Sequence, residues 1–318
     1  MKKTPVTFKN KNGLTLHGIL EQPVNDLDKS TAILFLSPGI KMRVAPHQLY
    51  NKMSRHFVGL GYTVLRFDFY GLGDSEGEVT EMMLADLYRS IQEGRYVDDT
   101  LSAIEWLSKE VNKNKFLLTG LCGGAITGLL SAEKDDRING LLGLGIPVIL
   151  DGSKVDAAKN LTAGHMNRLQ KGYVRKIFDP KSWMRLLTFQ SDYRIIFNIL
   201  KKNIRKRLVS PEATASADIN RVDINDNTNP LFAPAVFKML ERDAKINFIF
   251  SGSDRLDWEY EEKFVSLYKN KLNQYEGEAL SVCTIDDANH ILSLPKWQNE
   301  MIEISTSWLS KNFNDNQV

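Results

Sequence analysis

Cysteine is scarce: the 318 residues hold two, Cys122 and Cys283. Two thiols do not make a disulfide framework, so the simpler expectation is a reducing compartment with at least one thiol free for chemistry. Long apolar runs are absent as well. The longest, Leu141 to Leu150, is broken by Gly143, Gly145 and Pro147 and is far too short to span a bilayer. Met1-Lys2-Lys3 leads straight into Thr4–Phe8, which reads as a strand rather than as a targeting segment. A cytoplasmic protein with no membrane span is therefore expected. Charge of one sign is also lacking, since 41 Lys and Arg against 39 Asp and Glu leave +2. So small a balance argues against nucleic acid or a membrane as the main partner. There is no internal repeat and no low-complexity segment.

What is present suits a globular chain with a substantial core: 42% hydrophobic and 25% charged residues, enough length for one large α/β domain or two small ones. Two short strands, Pro5–Lys9 and Leu14–Gln22, flank the turn signal Asn10–Gly13 and read as a hairpin. The buried run Ala32–Leu36 ends at Ser37-Pro38-Gly39. Leu49, Met53, Phe57 and Leu60 then share one helical face. Thr63–Phe69 reads as a strand, Val97–Glu110 as a helix, Lys115–Thr119 as a strand, Gly124–Ala132 as a helix and Leu141–Val148 as a strand. Between Asp151 and about Val222 the spacing is helical, with no convincing buried strand. The alternation resumes with a helix over Pro230–Arg242, a strand over Ile246–Phe250, a helix over Glu259–Leu272, a strand over Leu280–Ile285 and a helix over Trp297–Phe313. Continuous apolar strands alternating with helices predict an α/β fold, a mostly parallel doubly wound sheet of about eight strands. The expected domains are a core of residues 1–150 and 228–318, interrupted by an inserted helical cap over 151–227.

Gly120-Leu121-Cys122-Gly123-Gly124 lies between a predicted strand and a predicted helix. That is the nucleophile-elbow pattern, with cysteine where serine is usual. The turn is strained, and residues two away must be small for strand and helix to approach. It places the thiol at a helix N-terminus, where the dipole favours thiolate. A sulfur nucleophile needs a base and an orienting acid, which follow such an elbow in the order acid, then histidine. Asp254 lies just past the strand Ile246–Phe250, and His290 just past Leu280–Ile285. Asp257, Asp286 and Asp287 are alternative acids, with Asp254 favoured because Gly252-Ser253-Asp254 ends its strand tightly. His17, His47, His56 and His165 read better as surface histidines. An oxyanion formed at an acyl carbon needs backbone N–H donors. The amide of Gly123 is one candidate and that of Ile40, in Ser37-Pro38-Gly39-Ile40, the other.

Gly-Leu-Cys-Gly-Gly, Gly-Ser-Asp and Ala-Asn-His, with Arg66-Phe67-Asp68 leading into Gly71-Leu72-Gly73-Asp74-Ser75-Glu76-Gly77, resemble the α/β-hydrolase superfamily. More narrowly they are similar to its lysophospholipase and serine aminopeptidase-like branch. Arg43–Tyr50 adds similarity to bacterial hydrolases associated with exosortase systems, which also show Gly-Leu-Cys at the elbow. The resemblance covers about residues 10–150 and 228–312. It implies the α/β-hydrolase fold with an inserted lid, and ester, thioester or amide chemistry without a cofactor or metal. Cysteine at 122 is the departure from most of the superfamily. It also resembles the elbow of dienelactone hydrolases, which act on small cyclic esters but lack so long an insertion. A non-catalytic ligand-binding member is a further alternative. Within residues 151–207, fourteen Lys or Arg face four Asp or Glu, a balance of +10 that leaves about −8 elsewhere. A face so basic, interleaved with aromatics, is expected either to be a solvated cap or to attract an acidic carrier protein, a coenzyme A phosphate or an anionic surface.

Overall fold

A computed structural model describes residues 1–24, 28–151 and 227–313, which lie in one compact unit. The expected cap over 151–227 falls almost entirely outside them. Eight strands form one sheet: β1 (Lys2–Lys9), β2 (Thr15–Gln22), β3 (Thr31–Leu36), β4 (Thr63–Phe67), β5 (Lys115–Leu121), β6 (Ile138–Leu144), β7 (Lys245–Ser251) and β8 (Leu280–Ile285). Their order is β1-β2-β4-β3-β5-β6-β7-β8. β1 and β2 pair antiparallel, as do β2 and β4, while every pairing from β4 through β3 to β8 is parallel.

The described helices are α1 (Leu49–Gly59), α2 (Leu84–Gln92), α3 (Val97–Glu110), α4 (Gly123–Ala132), α5 (Phe232–Glu241), α6 (Leu256–Tyr260), α7 (Ser266–Leu272) and α8 (Pro295–Asn312), a π turn joining α6 to α7. Alternation of side chains along β3 shows why both faces must be covered. Ala32, Leu34 and Leu36 enter one apolar cluster and Ile33 and Phe35 the other, all fully buried. α4 is buried along its whole length, consistent with its near absence of charge.

Two sequence expectations shift. The predicted strand Leu141–Val148 runs instead from Ile138 to Leu144, because Gly145 at φ +52° turns the chain out of the sheet. Helix α2 carried no expectation, and it borders the site described next.

β3 sits where the strand order turns: β4 follows it on one side and β5 lies on the other. A crevice opens at such a point outside the carboxyl ends of the strands. Cys122, at the end of β5, lies there. The described residues on either side of 152–226 are held together. Ile149 bridges Thr228, Leu150 N–H donates to Asn227 O at 2.7 Å, and Asn229 N–H donates to Val148 O at 2.8 Å.

Candidate active site

Cys122 adopts φ 54°, ψ −113°, a conformation that costs a non-glycine residue about 1–3 kcal/mol. Two hydrogen bonds hold the turn against relaxation. Cys122 N–H donates to Leu144 O at 2.8 Å, and Leu121 N–H donates to the Tyr50 hydroxyl at 2.7 Å. The phenol in turn donates to Leu36 O at 2.9 Å, so one fully buried side chain ties the elbow to the end of β3. A Cβ on Gly120 would overlap the backbone of Gly124, and one on Gly124 would overlap the carbonyl oxygen of Leu36. Only hydrogen at these positions lets α4 leave the sheet so sharply. The thiol is half-buried at the N-terminus of α4.

Asp254 and His290 come from adjoining loops that brace each other. Gly252 N–H donates to Ile285 O at 2.9 Å, Ser253 N–H to Ala288 O at 3.0 Å, and the Ser251 hydroxyl to Asn289 O at 3.0 Å. Across this brace His290 Nδ1 lies 2.5 Å from Asp254 Oδ2. The imidazole rests over Gly145, where a Cβ would stand 3.5 Å from Cε1 and from Nδ1. Burial works to lower the ionisation of His290, but the hydrogen bond to Asp254 and the influence of Asp254 and Cys122 push it up to about 10. Burial likewise works to raise the Asp254 carboxyl. The hydrogen bond and charge of His290, with the amides of Arg255 and Leu256, outweigh it and hold Asp254 below the usual range. His290 is thus paired with Asp254, and its ring rests over Gly145, next to the Leu144 carbonyl that accepts from the Cys122 amide. Asp257 is not part of that pair: its carboxylate accepts from the Thr284 hydroxyl at 3.2 Å, and burial raises it.

The loop after β3 meets the same turn. Gly39 has φ +60°, and a Cβ on Gly123 would lie 2.7 Å from Gly39 Cα. Among the described residues, the amides of Ile40 and Gly123 donate to no protein acceptor. Arg43, Asp68 and Asp74 form a separate support. The Arg43 guanidinium pairs with the fully buried Asp68 and reaches Asp74 at 2.6 Å, tying the loop after β3 to the loop after β4. No three His, Cys, Asp or Glu side chains gather as a possible metal group among the described residues. Nor is any helix among them long and apolar enough to cross a membrane.

Two tyrosines escape the sequence reading. Tyr50 has its role only through tertiary contact, since nothing local distinguishes it from a core aromatic at the start of α1. Tyr88, on α2, packs on the Gly39 loop, with its Cε1 3.2 Å from where a Gly39 Cβ would stand. Burial raises its phenol, and the charges of Cys122 and Asp151 raise it further.

No model of a known protein family matches the sequence, and no curated protein matches it. Solved structures do. An Agrobacterium tumefaciens protein of unknown function assigned to the α/β hydrolases superposes with TM-score 0.54 at 16% identity, covering 98% of each chain. A Pyrococcus furiosus esterase gives TM-score 0.55 at 14% identity over 98% of this chain and 92% of that one. The esterase domain of a Rhodothermus marinus protein gives 0.52 at 16%, over 98% and 99%. Identities this low speak to architecture alone. Strand order, parallel pairing and these superpositions agree on it: the chain has the α/β-hydrolase fold.

Proposed function

We propose that the chain is an acyl hydrolase or acyltransferase working through Cys122, His290 and Asp254 on an ester or thioester. The observation that carries the reading is His290, whose Nδ1 lies 2.5 Å from Asp254 Oδ2 and whose ring rests over Gly145, next to the Leu144 carbonyl that accepts from the Cys122 amide. An imidazole so placed accepts the thiol proton, and its raised ionisation favours holding that proton as imidazolium. Sγ attacks the acyl carbon, the S–C bond forms and the carbonyl electrons move to oxygen. The Ile40 and Gly123 amides are the proposed donors to that oxyanion. Collapse expels the alkoxide or thiolate, which takes the proton from His290. Water, or another acceptor deprotonated by His290, then attacks the acyl-cysteine and restores the thiol. Residues 1–150 and 228–318 are the proposed catalytic core. The basic segment over 151–227 is the proposed cap, with an acidic carrier protein or coenzyme A thioester as its partner. The solved structures that this chain resembles include proteins named as esterases, which agrees with the choice of ester chemistry.

The test offers p-nitrophenyl esters and acyl thioesters to the protein and reads intact mass. An acyl adduct absent from Cys122→Ala supports the proposal. No adduct with any donor, alongside tight binding of a small molecule, would overturn it in favour of a ligand receptor.

A further inference from the structure

The residue after the candidate acid is tied down more thoroughly than a surface arginine needs to be. Arg255 Nη2 lies 3.4 Å from Asp151 Oδ1, and Nη1 lies 3.5 Å from Glu259 Oε1, one turn along α6. Asp151 is itself clasped. Its other oxygen accepts from Gln92 Nε2 at 3.0 Å, and its amide donates to Gln92 Oε1 at 2.7 Å. Gln92 is buried at the end of α2, and its carbonyl accepts from Asn229 Nδ2 at 2.8 Å. One glutamine therefore holds both ends of the insertion, and Asp151 passes that anchorage to Arg255. The main-chain amide of Arg255 donates to Asp254 Oδ1 at 2.7 Å, opposite the oxygen that meets His290.

A half-exposed arginine between two carboxylates is ordinarily worth under about 1 kcal/mol, so stability does not explain the arrangement. Glu259 argues further against a purely stabilising role. Its side chain is 4% exposed and its Oε2 has no partner among the described residues, a costly way to build the first turn of a short helix. An apolar residue would pack there at lower cost.

We propose that Arg255 is a positioning residue for the candidate acid: Asp151 and Glu259 fix its guanidinium, and its main chain thereby fixes the direction in which Asp254 meets His290. The inference rests on the hydrolase reading above. It makes the anchored end of the insertion and the orientation of the acid one mechanical unit.

The experiment first confirms the acyl adduct on wild-type Cys122 with one of the p-nitrophenyl esters or acyl thioesters above; its absence with every donor would sink the hydrolase reading itself. With the adduct present, Arg255→Gln is expected to lower kcat about tenfold, within the roughly hundredfold that 1 Å of misplacement can cost, with KM nearly unchanged. Arg255→Lys should recover most of the loss. The alkaline limb of the kcat/KM profile should move upward in Arg255→Gln, because the imidazolium loses an opposing positive charge. Asp151→Asn combined with Arg255→Gln should be no slower than Arg255→Gln alone, since both act through one contact. An Arg255→Gln enzyme with wild-type kcat and pH profile overturns the inference, and so do losses that simply multiply in the double variant.

Discussion

Removing one oxygen atom from Tyr50 should test how the elbow is held. In Tyr50→Phe the ring keeps its edge-to-face contact with Phe35, at 5.1 Å between centroids, so packing is nearly unchanged. What disappears is the bridge from Leu121 N–H to the hydroxyl and on to Leu36 O. Two hydrogen bonds at about 1 kcal/mol net each are lost. A fully buried amide without a partner adds about 1–3 kcal/mol, and the sum is about 3–5 kcal/mol. Domains of ordinary stability hold only about 5–15 kcal/mol in all. With a urea slope of about 3 kcal/mol/M, the midpoint followed by tryptophan fluorescence should fall by about 1–1.7 M. Activity should fall too, because Leu121 carries Cys122 and Leu36 leads into the Gly39–Ile40 loop. A loss of about tenfold or more in kcat/KM is expected. A midpoint within about 0.2 M of wild type, against a slope of that size, would refute the reasoning, since it would mean that the phenol bears none of the elbow's strain.

Two further perturbations separate neighbouring carboxylates. Asp254→Asn should cost orders of magnitude in kcat, about 10⁴-fold where an orienting acid is replaced this way, whereas Asp257→Asn should stay within about threefold; equal losses in steady-state assays would show that the 2.5 Å contact is not what orients His290. Burial pushes Glu259 up to about 7 from 4.5. The folded state then binds more protons than the unfolded state across that interval, so stability declines as pH rises through it, by about 3 kcal/mol at most. Glu259→Gln removes the titration. Its urea midpoint relative to wild type should therefore improve between pH 5 and pH 8, and an unchanged difference would count against a buried carboxylate.

The catalytic candidates were legible because each is announced locally. Cys122 stands between glycines at a strand-to-helix boundary, and Asp254 and His290 each follow an apolar run ended by polar residues. Parallel order brings such strand ends together whatever else the chain does. Positions whose meaning is only tertiary were not legible. Tyr50 and Gln92 read as one aromatic and one amide on helices, and their partners are 71, 59 and 137 residues away. α2 itself was hidden because no apolar stripe of conspicuous length marks it: of its nine residues, Leu87, Ile91 and Gln92 alone are buried. Strand β6 was read four residues too far because Ile146, Val148 and Ile149 are buried without being in the sheet. Apolar composition reports burial, and it does not distinguish a strand from a buried loop that leaves one.

Several strained or costly features of this unit lie in the segments that carry the candidate site. Cys122 is held in a left-handed turn, Glu259 is a carboxylate with an unpartnered oxygen, and the amides of Ile40 and Gly123 donate to no protein group among the described residues. Elsewhere β3, α4 and the core of β7 are packed almost without exposure. Strain survives in a fold only where surrounding structure over-determines it. Here Leu144, Tyr50 and the apposed Gly39 loop determine the elbow, while Ala288, Ile285 and Asn289 determine the two loops that carry the candidate acid and base. If that division is functional, substitutions that relieve a local cost, such as Glu259→Gln, should gain stability and lose turnover together. Substitutions in the supports, such as Tyr50→Phe, should lose both. A variant at position 259 that gained stability with turnover intact would break the argument, because it would leave the buried carboxylate as a cost without a purpose.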